Sequence, residues 1–100
     1  MKEKDYQAKL IQKIKLRYRN CVVMKNDASY IQGIPDLSIL YKSLWAMLEV
    51  KKTNDSNTQP NQDYYVNKLH GMSFAAYIHP GNEKEVFSLL DKHFLRSVGD

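Results

Sequence analysis

Three charged residues stand where the surrounding sequence reads as buried β-structure. Asp36 follows a proline in GIPDLSILY, and Glu49 and Lys51 lie within LWAMLEVKK. A two-residue turn at Lys42 and Ser43 would pair Tyr41 with Leu44. Counting outward from that turn sets Asp36 opposite Glu49. Side chains alternate along a strand, so Glu49 and Lys51 share one face while Leu48 and Val50 take the other. Two like charges directly opposite each other cost stability, so something must offset the repulsion. A hard divalent cation does so, because it takes oxygen ligands and often one or two carboxylates. Such an ion polarises a phosphoryl oxygen and acidifies a bound water, the equipment for hydrolysing a phosphodiester. A solvent-facing hairpin with a Glu-Lys pair is the plainer alternative. The strand-like flanks and the Pro-Asp at hairpin distance weigh against it.

The elements around these residues follow from pattern. Residues 3 to 18 read as a helix, with Gln7, Leu10, Ile11, Ile14 and Tyr18 on one stripe. Glu3 extends that stripe toward the N-terminus, and this helix is expected near the charged face of the hairpin. As a first-turn acid, Glu3 equally suits the helix dipole. CVVMK, 21 to 25, is a strand, and 26 to 33 a polar connection ending in glycine. Two strands follow, at about 36 to 41 and 45 to 52. TNDSNTQPNQ, 53 to 62, has loop composition, and 53 to 58 borders the charged residues, where it would close on a substrate. Thr58 suits a cap and Pro60 the first turn of a helix that Gly71 would stop. SFAAYIH, 73 to 79, is a fourth strand, and 83 to 95 an amphipathic helix with Val86, Phe87, Leu90 and Phe94 on one side. The order is α-β-β-β-α-β-α.

Size and composition limit the alternatives. The 100 residues suit one domain. No apolar run is long enough to span a bilayer, and MKEKDYQAK lacks the apolar stretch of a signal peptide, which points to the cytoplasm, that of the host cell if the protein is viral. The lone Cys21 excludes an internal disulfide and a cysteine-based zinc cage, and reads as a packed thiol. His70, His79 and His93 lack ligand spacing, and Tyr64, Tyr65 and Tyr77 read as core or interface residues rather than base-stacking platforms. The net charge of +4 is an electrostatic footprint for polyanions, with Lys13, Lys15, Arg17 and Arg19 as candidate phosphate contacts. Lys52 is assigned to a DNA or partner surface.

GIPD at 33 to 36 followed by EVK at 49 to 51 resembles the signature of PD-(D/E)XK nucleases. With Gln62 opening the second helix, Gly71 before the last strand, and Glu3, Gln7 and Ile11 in the first helix, the chain resembles the small VRR-NUC nucleases, relatives of Holliday-junction resolvases. The resemblance implies a restriction-endonuclease-like αβββαβα core, a mixed four-stranded sheet flanked by helices. It implies that Asp36, Glu49 and the Val50 carbonyl bind Mg²⁺ or Mn²⁺, with Glu3 near the N-terminus as a further candidate ligand. Lys51 would act on the attacking water or the phosphate, and Gln62 would order the site. The expected activity is endonucleolytic cleavage of branched DNA such as four-way junctions by a homodimer. The surface of the last helix or the Tyr64–Tyr65 region would be the self-complementary patch. The rivals are a non-catalytic nucleic-acid-binding module with this fold and a protein-interaction domain with solvated acids.

Overall fold

The computed structural model describes residues 1–53 and 59–95. Its elements are α1 (Glu3–Arg17), β1 (Val22–Lys25), β2 (Leu37–Tyr41), β3 (Leu44–Val50), α2 (Pro60–Met72), β4 (Ala75–Ile78) and α3 (Glu83–Phe94). The four strands form one mixed sheet in the order β1-β2-β3-β4, antiparallel except for the parallel β3/β4 pair. The chain is thus an α/β fold of three helices on a four-stranded sheet. Among the described residues no helix is long and apolar enough to cross a membrane.

The hairpin register is the expected one. Tyr41 pairs with Leu44 and Leu37 with Leu48. The tight turn places Lys42 at φ 56°, the left-handed conformation that two-residue hairpin turns require. The third strand is shorter than expected: it ends at Val50, so Lys51 and Lys52 lie beyond it. Lys51 is still held in line by its N–H, which donates to the Ile78 carbonyl at 2.9 Å.

Alternation along β3 divides the core in two. Ala46, Leu48 and Val50 pack with Leu10 and Ile14 of α1 and Val86 and Leu90 of α3. Trp45 and Met47 pack instead with Val66 and Leu69 of α2. Helices α1 and α3 therefore cover one face and α2 the other, and Glu49, in phase with Trp45 and Met47, belongs to the α2 face. The face that carries Glu49 is thus covered by α2, while Glu3 at the start of α1 is near enough to raise the Glu49 pKa. The stripe of α1 also includes Tyr6, buried in the main core, while Gln7 and Ile11 are only half-buried.

Gly71 does not stop α2. It lies inside the last turn, the helix continues to Met72, and Ser73 is the C-cap. The glycine that the fold does require is Gly33, at φ 91°. A Cβ there would sit 2.4 Å from the Asn61 Cβ, so the loop before Pro35 and Asp36 lies hard against the start of α2. Thr58 falls outside the described residues; the observed N-cap of α2 is Gln59.

The two glycines should respond oppositely to alanine. Gly33→Ala forces both a positive φ and a backbone clash, and should cost about 1–3 kcal/mol in urea denaturation. Gly71→Ala meets nothing within 4 Å and should be neutral or stabilise by up to about 1 kcal/mol.

Candidate active site

Glu49 is the only charged side chain among the buried residues described, 3% exposed. Burying an ionised carboxylate is costly unless it is paired and hydrogen-bonded. One of its oxygens meets that condition. The Gln62 Nε2 donates to Oε2 at 3.1 Å, and the Lys51 Nζ lies 3.8 Å from the same oxygen. The other oxygen, Oε1, has no hydrogen-bond partner. Burial, then the Asp36 carboxylate, push the Glu49 pKa up to about 8, opposed by Lys51, with a smaller repulsive contribution from Glu3. The site therefore favours a proton, or a cation in its place, on the paired Asp36 and Glu49 carboxyls.

Asp36 sits in the bend just before β2 and is anchored from three sides. Its Oδ2 accepts the Val50 N–H at 2.8 Å, and its carbonyl accepts the Asn26 N–H at 2.8 Å. The Asn26 side chain also donates to the Pro35 carbonyl at 2.8 Å and accepts from the Ser38 hydroxyl at 3.0 Å. Met47 and Lys51 direct their N–H groups at the carbonyls of Phe74 and Ile78, on the β4 side. Val50 faces the opposite edge, where its N–H meets Asp36.

Gln62 ties the helix to the sheet. Its Oε1 accepts from the Lys51 Nζ at 2.9 Å and from the Gln59 N–H at 3.1 Å, closing a reciprocal capping box with Gln59. One side chain thus caps α2 while linking Lys51 to Glu49. On the same face the Tyr77 hydroxyl donates to Asp63 of α2, and burial with that hydrogen bond raises the phenol above its ordinary range.

The structure thus gathers Asp36, Glu49, Val50, Lys51 and Gln62. Among the described residues no three His, Cys, Asp or Glu side chains form a metal-binding group, and Glu3 adds negative potential at Glu49. Two carboxylates and a carbonyl nonetheless suit Mg²⁺, which commonly keeps several waters and is held by one or two carboxylates plus substrate phosphates. The unpartnered, buried Glu49 Oε1 is the atom such an ion would satisfy.

The basic candidates separate. Lys13 pairs with Glu83 at 2.5 Å, and Arg17 makes two bonds to Asp91, at 2.8 and 2.5 Å, with its guanidinium over the Phe87 ring. These two residues clamp α1 to α3, whereas Lys15, Arg19 and Lys52 are exposed. The histidines have structural partners: His70 Nδ1 accepts from the Ala75 N–H, His79 Nδ1 from the Gly81 N–H, and His93 contacts Ser73 and the Trp45 carbonyl. Cys21 is half-buried, and burial raises its thiol pKa. Of the loop at 53 to 58, only Thr53 lies within the described residues, and it is exposed.

Sequence reasoning missed Asn26 and Gly33. Each carried a local signal: an asparagine directly after an apolar strand, and a glycine two residues before the Pro-Asp pair. No family model, curated protein or solved structure matches the chain.

The raised Glu49 pKa has a sign. Between about pH 4.5, the ordinary value, and about pH 8, the folded protein keeps a proton that the unfolded chain releases. Stability is therefore highest below that window and falls as pH rises through it. In EDTA, urea denaturation should show a loss of about 1–3 kcal/mol from pH 5 to pH 8. Glu49→Gln should flatten that decline, and a profile unchanged by the substitution would assign it to another group.

Proposed function

We propose that the chain is a metal-dependent, structure-specific DNA endonuclease of the PD-(D/E)XK superfamily and the small VRR-NUC type, with its sheet serving as a restriction-endonuclease-like core. The observation that carries this reading is the buried Glu49 carboxylate beside Asp36, with one oxygen bound by Gln62 and the other unsatisfied. A solvated surface acid, as in a simple interaction domain, needs none of this. A binding module without catalysis has no use for a carboxylate held at such cost.

In this reading Asp36 and Glu49 hold Mg²⁺ or Mn²⁺ with the Val50 carbonyl. A divalent ion held there would supply Lewis acidity toward the phosphate and lower the pKa of a bound water. Asp36 is kept in place by the Val50 and Asn26 N–H groups, so one carboxylate oxygen is oriented before any ligand arrives. Lys51, only 12% exposed, places its ammonium beside Glu49 and stabilises charge on the phosphate or orients the water. Gln62 fixes the Lys51 and Glu49 side chains relative to each other and is a positioning residue. Glu3 adds negative potential at Glu49.

Paired cuts in a symmetric junction need two sites related by a two-fold axis, and a homodimer supplies them. The aromatics Phe87 and Phe94 of α3 are buried, so they are withdrawn from the expected self-complementary patch. Leu89, Leu95 and Tyr64 remain exposed.

The test is a cleavage panel of four-way junction, flap, nicked and linear duplexes with Mg²⁺, Mn²⁺ or EDTA at fixed salt. Metal-dependent cutting of a branched substrate is expected. Asp36→Asn and Glu49→Gln should each abolish it while the fold is retained. Lys51→Ala should lower turnover by at least about 100-fold with little change in DNA affinity, since only interactions stronger in the transition state speed chemistry. If no DNA in the panel is cut with either metal, the enzymatic reading is lost.

A further inference from the structure

An open groove of about 970 Å³ lies between α1 and α3, with Tyr6 and Phe87 among the residues lining it. Its rim carries Lys9, Lys13 and Arg17 from α1 and Lys84 from α3. A smaller cleft of about 290 Å³ is formed by Lys52, Thr53, His79, Pro80 and Gly81. Pro80 lines both, so the two depressions adjoin. The smaller one begins at Lys52, next in sequence to Lys51, at the end where the parallel strands β3 and β4 both terminate.

The charges in this track are unequal. Its one lining acid, Glu83, is occupied by Lys13 and by the Tyr6 hydroxyl, and Arg17 is taken by Asp91. Among the described residues Lys9, Lys52 and Lys84 enter no ion pair. Lys9 and Lys84 border the larger depression and Lys52 the smaller one, next to Lys51 in sequence. Lys15 and Arg19 line neither depression.

We propose that this track, from Lys52 past Pro80 to Lys84 and Lys9, binds the phosphodiester backbone of the DNA flanking the cleaved bond. The inference rests on the nuclease reading and names the surface by which that site grips its substrate. Charge complementarity and continuity with Lys51 favour a nucleic-acid backbone over an acidic protein. Phosphate contacts of this kind position the substrate without reading its sequence.

The experiment measures binding of a labelled forked duplex to the full chain in EDTA, by anisotropy across a salt series, with cleavage in Mg²⁺ followed in parallel. Each lost phosphate contact removes about 0.9 from the slope of log affinity against log salt. Lys9→Ala/Lys84→Ala should therefore flatten the slope by about 1.8 and weaken binding at least about tenfold near 0.1 M salt, at unchanged Tm. Lys9→Arg/Lys84→Arg should bind as wild type. Lys15→Ala/Arg19→Ala removes the same charge outside the track and should change the slope by less than half as much. Equal losses in the two alanine pairs, or none in the first, overturn the proposal; wild-type cleavage would then leave the nuclease reading standing. A wild type that neither binds nor cuts removes both. If polyglutamate binding, but not DNA binding, depends on Lys9 and Lys84, the track belongs to an acidic protein and the proposal fails.

Discussion

The arrangement depends on one buried carboxylate. Glu49 occupies an inward position of β3 that would suit an apolar side chain, and its strand neighbours in phase, Trp45 and Met47, are packed against α2. Keeping an acid there demands partners, and they come from both sides: Lys51 from its own strand's end and Gln62 from the first turn of α2. This fixes where α2 must begin. Gly33 then allows the Pro35–Asp36 segment to approach the same helix start, since any side chain at 33 would strike Asn61. The acid's location thus propagates into the helix start, the loop conformation and the second carboxylate.

The two faces of the sheet carry different loads. The α1/α3 face holds the larger apolar core, where Tyr18, Tyr41 and Phe94 meet edge to face or tilted at centroid distances of 5.1 to 5.8 Å. Ion pairs at its rim join α1 to α3, and contacts with the Tyr6 and Tyr18 hydroxyls reinforce them. The α2 face has a smaller core and the polar network. The larger apolar core lies on one side and the charged network on the other, so changes in that core need not disturb the charged site directly.

Much of this was legible in the sequence for physical reasons. A period of two, bounded by a tight turn, sets which residues share a face, so Asp36, Glu49 and Lys51 could be placed together from Lys42 and Ser43 alone. Which helix covers that face could not be read the same way, because it depends on how chain crossovers pass the sheet. The lysines and arginines of α1 were ambiguous for a similar reason. Lys13 and Arg17 differ from Lys15 and Arg19 only through acids some 70 residues away in sequence, at Glu83 and Asp91, with separations of 70 and 74. Gly71 and Gly33 show the limit of composition: both precede a strand, yet only one has a backbone conformation that needs glycine.

Position 62 shows how two demands narrow one choice. At the third position of a helix, glutamate and glutamine both close a capping box, and glutamate also complements the helix dipole. Local helix chemistry alone would accept either. Here the side chain must offer an N–H to Glu49 and an oxygen to Lys51 at once, which an ionised carboxylate cannot do. A glutamate would also add a third negative charge beside Asp36 and Glu49. The helix permits two residue types and the sheet beneath it admits one, so the amide at this position is selected by a neighbour that the local sequence does not reveal.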